Sequence, residues 1–434
     1  MDIYLHHFAS EYPNQVRDRV AFMQLALPCV PQLISWTPSK INASDQDLLQ
    51  YFEHVGSNVL PMFDSGRSRV REILMRMALS GSTLASNAVC QAMLALASLY
   101  RDGLQPHAAR LNLTALQSLM TSAKDGIDAE AGIQHIAAGI LLACFEMQLN
   151  SNGHTWNCQW VGHICGAKGV VQAVKDGQHP PGSDSSIMLG WVYYYDVLAR
   201  FSTRHWRTDV VSEVVPDPRF TTNGGNGDMP CVTQYALARA SFAAVIPQIS
   251  RHAHEVLGLL GEVCDTILHP WDPQYHSLEY QEYLDGLESR LTNVTLTGPA
   301  ETTADEDLTP VLKLFRLAAL IYLEHTSRNF SGQSTKLETW IDDAFSIFAG
   351  IGTCRHPFPL FIVGCEARTD DRRRVILDLI SKTQQDPQVR SFKEVGALVQ
   401  AVWVQDDLEV DGHVEYMRKV NLAISTFDAV PILV

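Results

Sequence analysis

Basic residues are scarce in this sequence, and no dense run of lysine and arginine interrupts it. Its 434 residues contain 33 Lys and Arg against 48 Asp and Glu, which gives a formal net charge of −15. A field of this sign repels phosphate groups. We therefore expect no direct nucleic-acid binding by the chain as a whole.

Paired cysteines and the common catalytic motifs are missing too. The nine cysteines include no C-x-x-C pair, so a structural zinc site built from paired thiolates is not expected. Their scatter through apolar stretches is typical of reduced, buried thiols. The sequence has no H-E-x-x-H, G-x-S-x-G, G-x-G-x-x-G or Walker motif, so hydrolase and nucleotide-binding signatures are absent. We expect neither a metal nor a cofactor.

Long apolar runs and a secretory leader are also lacking. Residues 1–13 show no basic region followed by an apolar core, as a signal peptide would. The longest apolar stretch, near residues 136–145, is shorter than the roughly 20 residues that cross a bilayer. The sequence therefore predicts a soluble intracellular protein, nuclear or cytoplasmic, without membrane contact.

What the sequence does contain is apolar residues at helical spacing. They recur every three or four positions, as on one face of an amphipathic helix, and no stretch alternates strictly in the way of a half-buried strand. We therefore predict an all-α fold. The clearest helical stretches are residues 88–100, 131–149 and 312–323.

Three segments rich in Gly, Pro, Asn, Ser or acidic residues interrupt the helical pattern and predict loops. We expect one large helical domain over residues 45–425, because helices from both ends can share a core. Residues 1–44 are then an N-terminal extension and residues 426–434 a C-terminal tail. The predicted loops are residues 178–186, 221–230 and 297–309.

Six segments follow one another along the chain: residues 48–63, 160–167, 195–203, 314–323, 359–372 and 402–407. Taken in this order, they resemble the regulatory domain of fungal binuclear zinc-cluster transcription factors. The most specific segment is PLFIVGCEARTDDR, and a VW with a following DD lies close behind it. Each segment alone would be weak, but six in the right order are strong, and the resemblance runs discontinuously over about residues 45–410.

The resemblance implies a helical regulatory body, and one departure from the family pattern bears on function. The family's transcription factors carry six N-terminal cysteines that hold two zinc ions beside a basic DNA-contacting stretch. Ahead of the helical domain this sequence has only Cys29. A two-metal thiolate cluster needs paired ligands at short spacing, so it cannot form from these residues.

Two of the resembling segments supply the first candidate ligand-binding residues. Trp160 and His163 lie in WVGHICGA, where His163 is either a packed core histidine or a pocket acid or base, since its unperturbed pKa near about 6.5 suits proton transfer. Tyr193 and Asp196 are three residues apart in WVYYYD and so share a helix face. They either line a cavity or lie in a core helix, whereas Tyr194 is predicted to face solvent.

The remaining candidates are His205, Trp206 and Cys365. His205 and Trp206 follow at the end of the same helix, between Arg204 and Arg207. These cations either offset the negative end of the helix dipole, which needs no function, or orient an acidic or oxygenated ligand beside an aromatic wall. Cys365 precedes Glu366, and a neighbouring carboxylate should raise the pKa of its thiol. We therefore expect Cys365 to pack, or to line a site, rather than to act as a nucleophile.

Two functions remain open from the sequence. The first is a transcription-factor-like regulator without its own DNA-binding module, which binds an apolar small molecule or a protein partner and acts by a population shift, plausibly in secondary metabolism. The alternative is a cofactor-independent isomerase or cyclase that folds a polyene, terpenoid or polyketide intermediate in a helical cavity. Orientation alone could lower such a barrier by ~7–11 kcal/mol.

Overall fold

The predicted all-α class is confirmed: in the described part of the chain we find fifteen α-helices, one 3₁₀ turn (Gly56–Val59) and no strand. The computed structural model describes residues 43–60, 63–80, 83–124, 126–150, 159–173, 183–206, 251–268, 272–296, 304–330, 334–385, 392–408, 415–427 and 430–433. The helices are α1 (Ala43–His54), α2 (Asp64–Leu79), α3 (Leu84–Asp102), α4 (Pro106–Lys124), α5 (Ala129–Asn150), α6 (Gln159–Ala173), α7 (Asp184–His205), α8 (Arg251–Thr266), α9 (Leu278–Asn293), α10 (Ala304–Thr326), α11 (Thr335–Gly350), α12 (Pro357–Cys365), α13 (Asp370–Gln384), α14 (Phe392–Leu408) and α15 (Tyr416–Ser425).

Helix starts are set locally by hydroxyl side chains. At the beginning of α3, α7, α9, α11 and α13, a serine or threonine in extended conformation accepts a hydrogen bond from a backbone N–H of the first turn. Each cap satisfies one of the donors that a helix leaves open at its N-terminus. These caps therefore fix where the helices begin along the chain.

Helix α7 connects two groups of helices. Helices α1 to α6 pack around α3 and α5, while helices α8, α9, α11, α12 and α15 contact α10. Helix α7 contacts α2, α5 and α6 on one side and α8 and α15 on the other. All of its residues are buried except Asp184 and Arg204. A helix buried on every face must satisfy its polar side chains internally, so α7 is where polar partners should be sought.

Helix α5 is long and apolar enough to cross a membrane by length and composition. Of the window that meets this test, 94% is buried inside the fold. Its apolar character extends beyond the uninterrupted run at 136–145 because alanines and glycines continue it toward the start of the helix. The apolar surface of α5 is therefore used in packing against α3, α6 and α7.

Two of the predicted loops are too long. Helix α7 begins at Asp184, because Ser183 caps it at 3.2 Å through the Ser186 N–H, so residues 184–186 are helical. Helix α10 begins at Ala304, so residues 304–309 are helical. The loop predicted at 221–230 lies outside the described residues.

The last residues of the chain pack into the core. Val430, Ile432 and Leu433 are each at most 1% exposed. The Ile432 N–H donates to Oε2 of Glu394 at 3.2 Å, which ties this segment to α14. The predicted tail of residues 426–434 thus contains buried positions that contribute to the helical body.

Candidate functional site

Helix α7 carries three of the seven candidate residues and Trp206 directly follows it; Asp196 lies at the centre of a buried charge cluster. Lys168 of α6 donates to Oδ1 of Asp196 at 2.6 Å, and both side chains are 0% exposed. Arg200, one turn further along α7, reaches Oδ2 at 2.5 Å. Arg200 also contacts Asp265 of α8 at 2.7 Å, at the protein surface. We call these four residues the Asp196 cluster.

The Asp196 cluster joins three helices by alternating charges. Burial of an ion in a low-dielectric core is costly unless a counter-charge and hydrogen bonds compensate it. Two cations flank the Asp196 carboxylate, and Asp265 takes up the remaining donor of Arg200 toward solvent. The cluster therefore fixes the positions of α6 and α8 relative to α7.

Tyr193 lies on the face of α7 that packs on α8. Its ring stacks on His254 with centroids 6.0 Å apart. Two glycines of α8 make room for it: a Cβ at Gly258 would lie 3.5 Å from the Tyr193 hydroxyl, and one at Gly261 would lie 3.4 Å from Arg200. Tyr193 and Asp196 thus lie in a packed interface between helices.

His205 lies at the other end of α7, between α10 and α15. Its Nδ1 is 2.6 Å from Oδ1 of Asn421 and its Nε2 is 2.6 Å from the Tyr322 hydroxyl. Burial lowers the pKa of His205 to about 3, so the ring is neutral. Since an amide oxygen only accepts, Nδ1 carries the proton and Nε2 accepts from Tyr322. Trp206 adds a hydrogen bond from its indole N–H to the Phe427 carbonyl at 3.1 Å.

Removing the Tyr322 hydroxyl should destabilise this contact. In Tyr322→Phe, the buried Nε2 of His205 loses its donor, which should lower the free energy of unfolding by about 1–2 kcal/mol. Urea denaturation measures the change. The control is Tyr283→Phe, because Tyr283 is 47% exposed and its hydroxyl donates to the Glu262 carboxylate at the surface. Equal losses in both variants would contradict the assigned role of Tyr322.

Cys365 ends α12 beside a buried ion pair. Glu366 lies 3.0 Å from Nε2 of His325, and both side chains are at most 3% exposed. Burial disfavours the cation of His325, but the Glu366 carboxylate outweighs this and holds the pKa of His325 above its ordinary value. Burial, and then Glu366, raise the pKa of the Cys365 thiol, as the sequence predicts. The ring of Tyr416 stacks on His325 at 4.4 Å, so α15 covers this pair.

Trp160 and His163 lie in the contact between α6 and α5. Trp160 is 0% exposed and His163 8% exposed. Burial lowers the pKa of His163 to about 4, so the ring is neutral near pH 7. A Cβ on Gly139 of α5 would lie 3.6 Å from the His163 carbonyl, which places α6 directly on α5. Both residues are buried in the helix that packs on α5.

Tyr194 is buried, so the prediction that it faces solvent is wrong. It is 3% exposed, and its hydroxyl lies 3.3 Å from Nδ1 of His356. Its ring packs edge-on against Phe63, whose ring also meets Phe315. The physical reason is that α7 is surrounded by helices on all sides, so no face of it is left for water.

The candidates take part in different helix contacts. Tyr193 packs on α8, whereas Asp196 bonds to Lys168 of α6, the helix that carries Trp160 and His163. His205 and Trp206 bond to α10, α15 and the Phe427 carbonyl, and Cys365 ends α12. Within the described ranges, no three His, Cys, Asp or Glu side chains are placed to hold a metal ion. The geometry provides neutral and paired polar groups that connect helices, which suits the transmission of a packing change.

Sequence reasoning missed the partners of these residues. One of them, Lys168, is a lone cation in an apolar helix and could have been noticed for that reason. The others carry no local signal. The missed residues are Lys168, Tyr322, His325 and Asn421.

Comparison with known proteins gives two matches. The family model described as the fungal specific transcription factor domain matches residues 47–427. A protein of Pestalotiopsis fici named transcription factor iacI is 35% identical over 407 residues, which cover 92% of this chain and 98% of that relative. No solved structure matches.

Proposed function

Since the chain belongs to the family of the fungal specific transcription factor domain, we propose that it is a regulator of transcription that acts through a partner. The observation that carries this proposal is the similarity to iacI, which is named a transcription factor and is covered over nearly its full length. A relation of this extent involves the whole helical body rather than one module.

The charge and the cysteine pattern of these residues support a partner. The sequence has a formal net charge of −15, and the residues ahead of the matched region contain one cysteine, Cys29, so these residues do not supply a paired-thiolate cluster or a basic stretch for DNA. A partner that reads DNA would supply both. Such a role places the protein in the nucleus.

The proposed signal is an apolar small molecule or the partner itself, plausibly in secondary metabolism. A ligand shifts a conformational equilibrium only by the difference in its affinity for the two states. Helix α7 is suited to transmit such a shift, because it is tied to α6 and α8 by the Asp196 cluster and to α10 and α15 by His205. The candidate residues on α7, with Trp160, His163 and Cys365, are the positions where we would look for an effect of ligand.

Deletion of the gene should change the transcript levels of a confined set of genes in the organism that encodes the chain. Reintroduction of the wild-type gene should restore them, and RNA sequencing measures both. The purified chain, with or without added zinc, should show no sequence-selective binding to promoters of those genes in a mobility-shift assay. Binding should appear when the protein that co-purifies with it from nuclei is added.

Two outcomes would contradict the proposal. Selective promoter binding by the purified chain alone would remove the need for a partner. Unchanged transcripts together with accumulation of a linear biosynthetic intermediate would favour the catalytic alternative instead.

A further inference from the structure

A cavity of about 360 Å³ lies between α1 and α2. Both helices pack on α3 and on the 3₁₀ turn that separates them in the chain. The Arg67 guanidinium donates to the Asn58 carbonyl at 2.8 Å, which holds the start of α2 against this turn. The volume is at the lower end of the ~300–1,000 Å³ that is typical of small-molecule sites. The residues that line the cavity are Glu53, Ser68, Arg69, Arg71, Glu72 and Met75.

Helix α2 presents one face to the cavity. Ser68, Arg71 and Met75 follow one another at spacings of three and four residues, which places their side chains above one another on the helix. Another face of α2 is buried in the core, where Val70 and Leu74 are at most 2% exposed. Rotation of α2 would expose these two side chains to water. The face that lines the cavity is therefore held in place.

Two of the charged residues that line the cavity are already paired. Arg69 donates to the Glu72 carboxylate at 3.2 Å, and Arg76 reaches the other oxygen of Glu72 at 3.4 Å. Arg69 and Arg76 also contact Asp184 at the start of α7. These four residues form an alternating row of charges along the rim of the cavity. Neither Arg69 nor Glu72 is therefore left as an uncompensated charge.

Arg71 and Glu53 differ from this row. Both side chains are half-buried, and in the described part of the chain neither forms an ion pair or a side-chain hydrogen bond, not even with the other. A partly buried charge gives up some of its hydration without a counter-charge to compensate it. The cavity therefore holds one cation and one anion, on opposite helices, that are both available to a ligand.

This pair of charges selects the charge pattern of the ligand. A molecule with one negative and one positive group supplies both missing counter-charges at once. A phosphate or a dicarboxylate would instead bring negative charge toward Glu53, and a polyamine would bring positive charge toward Arg71. Repulsion of this kind discriminates against the wrong ligand. The charges thus favour a zwitterion.

We propose that the cavity between α1 and α2 binds an α-amino acid with an apolar side chain. The carboxylate of the ligand lies on the Arg71 guanidinium, whose planar fork suits bidentate recognition, and its ammonium group donates to Glu53. Its side chain packs against the half-buried Met75, whose flexible thioether adapts to apolar groups of different shape. This site does not depend on the proposed role in transcription.

Ligand-observed NMR titration of the full chain with L-leucine tests the site. Two analogues keep the side chain but lose one charge: 4-methylpentanoate lacks the ammonium group and 3-methylbutylamine lacks the carboxylate. Each should bind about tenfold more weakly than leucine, because one charged hydrogen-bond partner is left unpaired. Equal binding of leucine and 4-methylpentanoate, or a preference for inorganic phosphate, would indicate a simple anion site and overturn the proposal. So would a wild-type chain that binds none of L-valine, L-leucine and L-methionine.

Two variants place the charges of the ligand. Arg71→Gln should bind leucine and 3-methylbutylamine alike, whereas Glu53→Gln should bind leucine and 4-methylpentanoate alike, since each variant no longer recognises one group of the ligand. The control is Arg110→Gln, which removes the same charge from an exposed position on α4 and should bind leucine as the wild type does. Circular dichroism checks that all three variants are folded, as expected for substitutions at the surface. Selectivity that is unchanged in both cavity variants would contradict the site.

Discussion

Asp196→Asn should lower the free energy of unfolding by about 3–5 kcal/mol, the largest destabilisation we expect from a single polar substitution. The asparagine keeps the shape of the side chain but removes the carboxylate that faces the fully buried Lys168, and it leaves Arg200 with Asp265 as its remaining carboxylate in the cluster. Removal of one partner from a buried ion pair leaves an uncompensated buried charge. Chemical denaturation followed by circular dichroism measures the loss.

A set of related variants separates charge from packing. Lys168→Met should cost less than Asp196→Asn, because Asp196 keeps Arg200 at 2.5 Å. The double variant Asp196→Asn with Lys168→Met should be less destabilised than the sum of the two, since one stranded cation is removed. Asp265→Asn is the surface control: its side chain is 36% exposed, so water can replace part of the ion pair, and the loss should stay near 1 kcal/mol or below.

Additive effects in the double variant would contradict this account of the cluster. So would an Asp265→Asn loss as large as that of Asp196→Asn. Either result would mean that the geometry of α7, rather than the buried carboxylate, determines the stability of this region.

The helical class and the family were predictable because both depend on local pattern. The apolar spacings at 88–100, 131–149 and 312–323 lie within α3, α5 and α10, where each face packs against a neighbour. The family resemblance, found from six short segments, agrees with a match over residues 47–427. Loop ends were less predictable, since Ser183 acts as a cap only when its hydroxyl meets the Ser186 N–H.

The partners of the candidate residues could not be predicted. Asp196 meets a lysine 28 residues away, and His205 meets residues 117 and 216 positions away. These contacts depend on how whole helices pack, which apolar periodicity does not specify. The prediction that Tyr194 faces solvent was wrong for the same reason. Three adjacent tyrosines on a helix imply that one faces solvent only if some face of the helix is exposed to water.

Glu146→Gln should stabilise the protein by roughly 3 kcal/mol at pH 7. Glu146 of α5 is 1% exposed, and its contact with a neighbouring side chain is a long one, from Nδ2 of Asn112 at 3.5 Å. Burial raises the pKa of Glu146 from 4.5 to about 8. At pH 7 the folded protein must therefore hold a proton that the unfolded chain releases, and this costs about 1.4 kcal/mol per pH unit above the unfolded pKa. Glutamine keeps the shape of the neutral acid and has no proton to release.

The pH dependence gives the prediction a signature. For a carboxyl group whose pKa is raised on folding, the folded state binds more protons than the unfolded state between about 4.5 and about 8. Stability therefore falls as pH rises through this window and levels off above it. The advantage of Glu146→Gln should be near zero at pH 4, grow with pH and be constant above about pH 8, as urea denaturation at several pH values would show.

The matched control is Glu130→Gln, an exposed glutamate on the same helix. Because water solvates this carboxylate in both states, its removal should change stability by less than about 0.5 kcal/mol and give no comparable slope with pH. If Glu146→Gln were less stable than the wild type at pH 8, the buried carboxylate would have to be ionised and held by a counter-charge. If its advantage did not depend on pH, the gain would come from packing rather than from the proton.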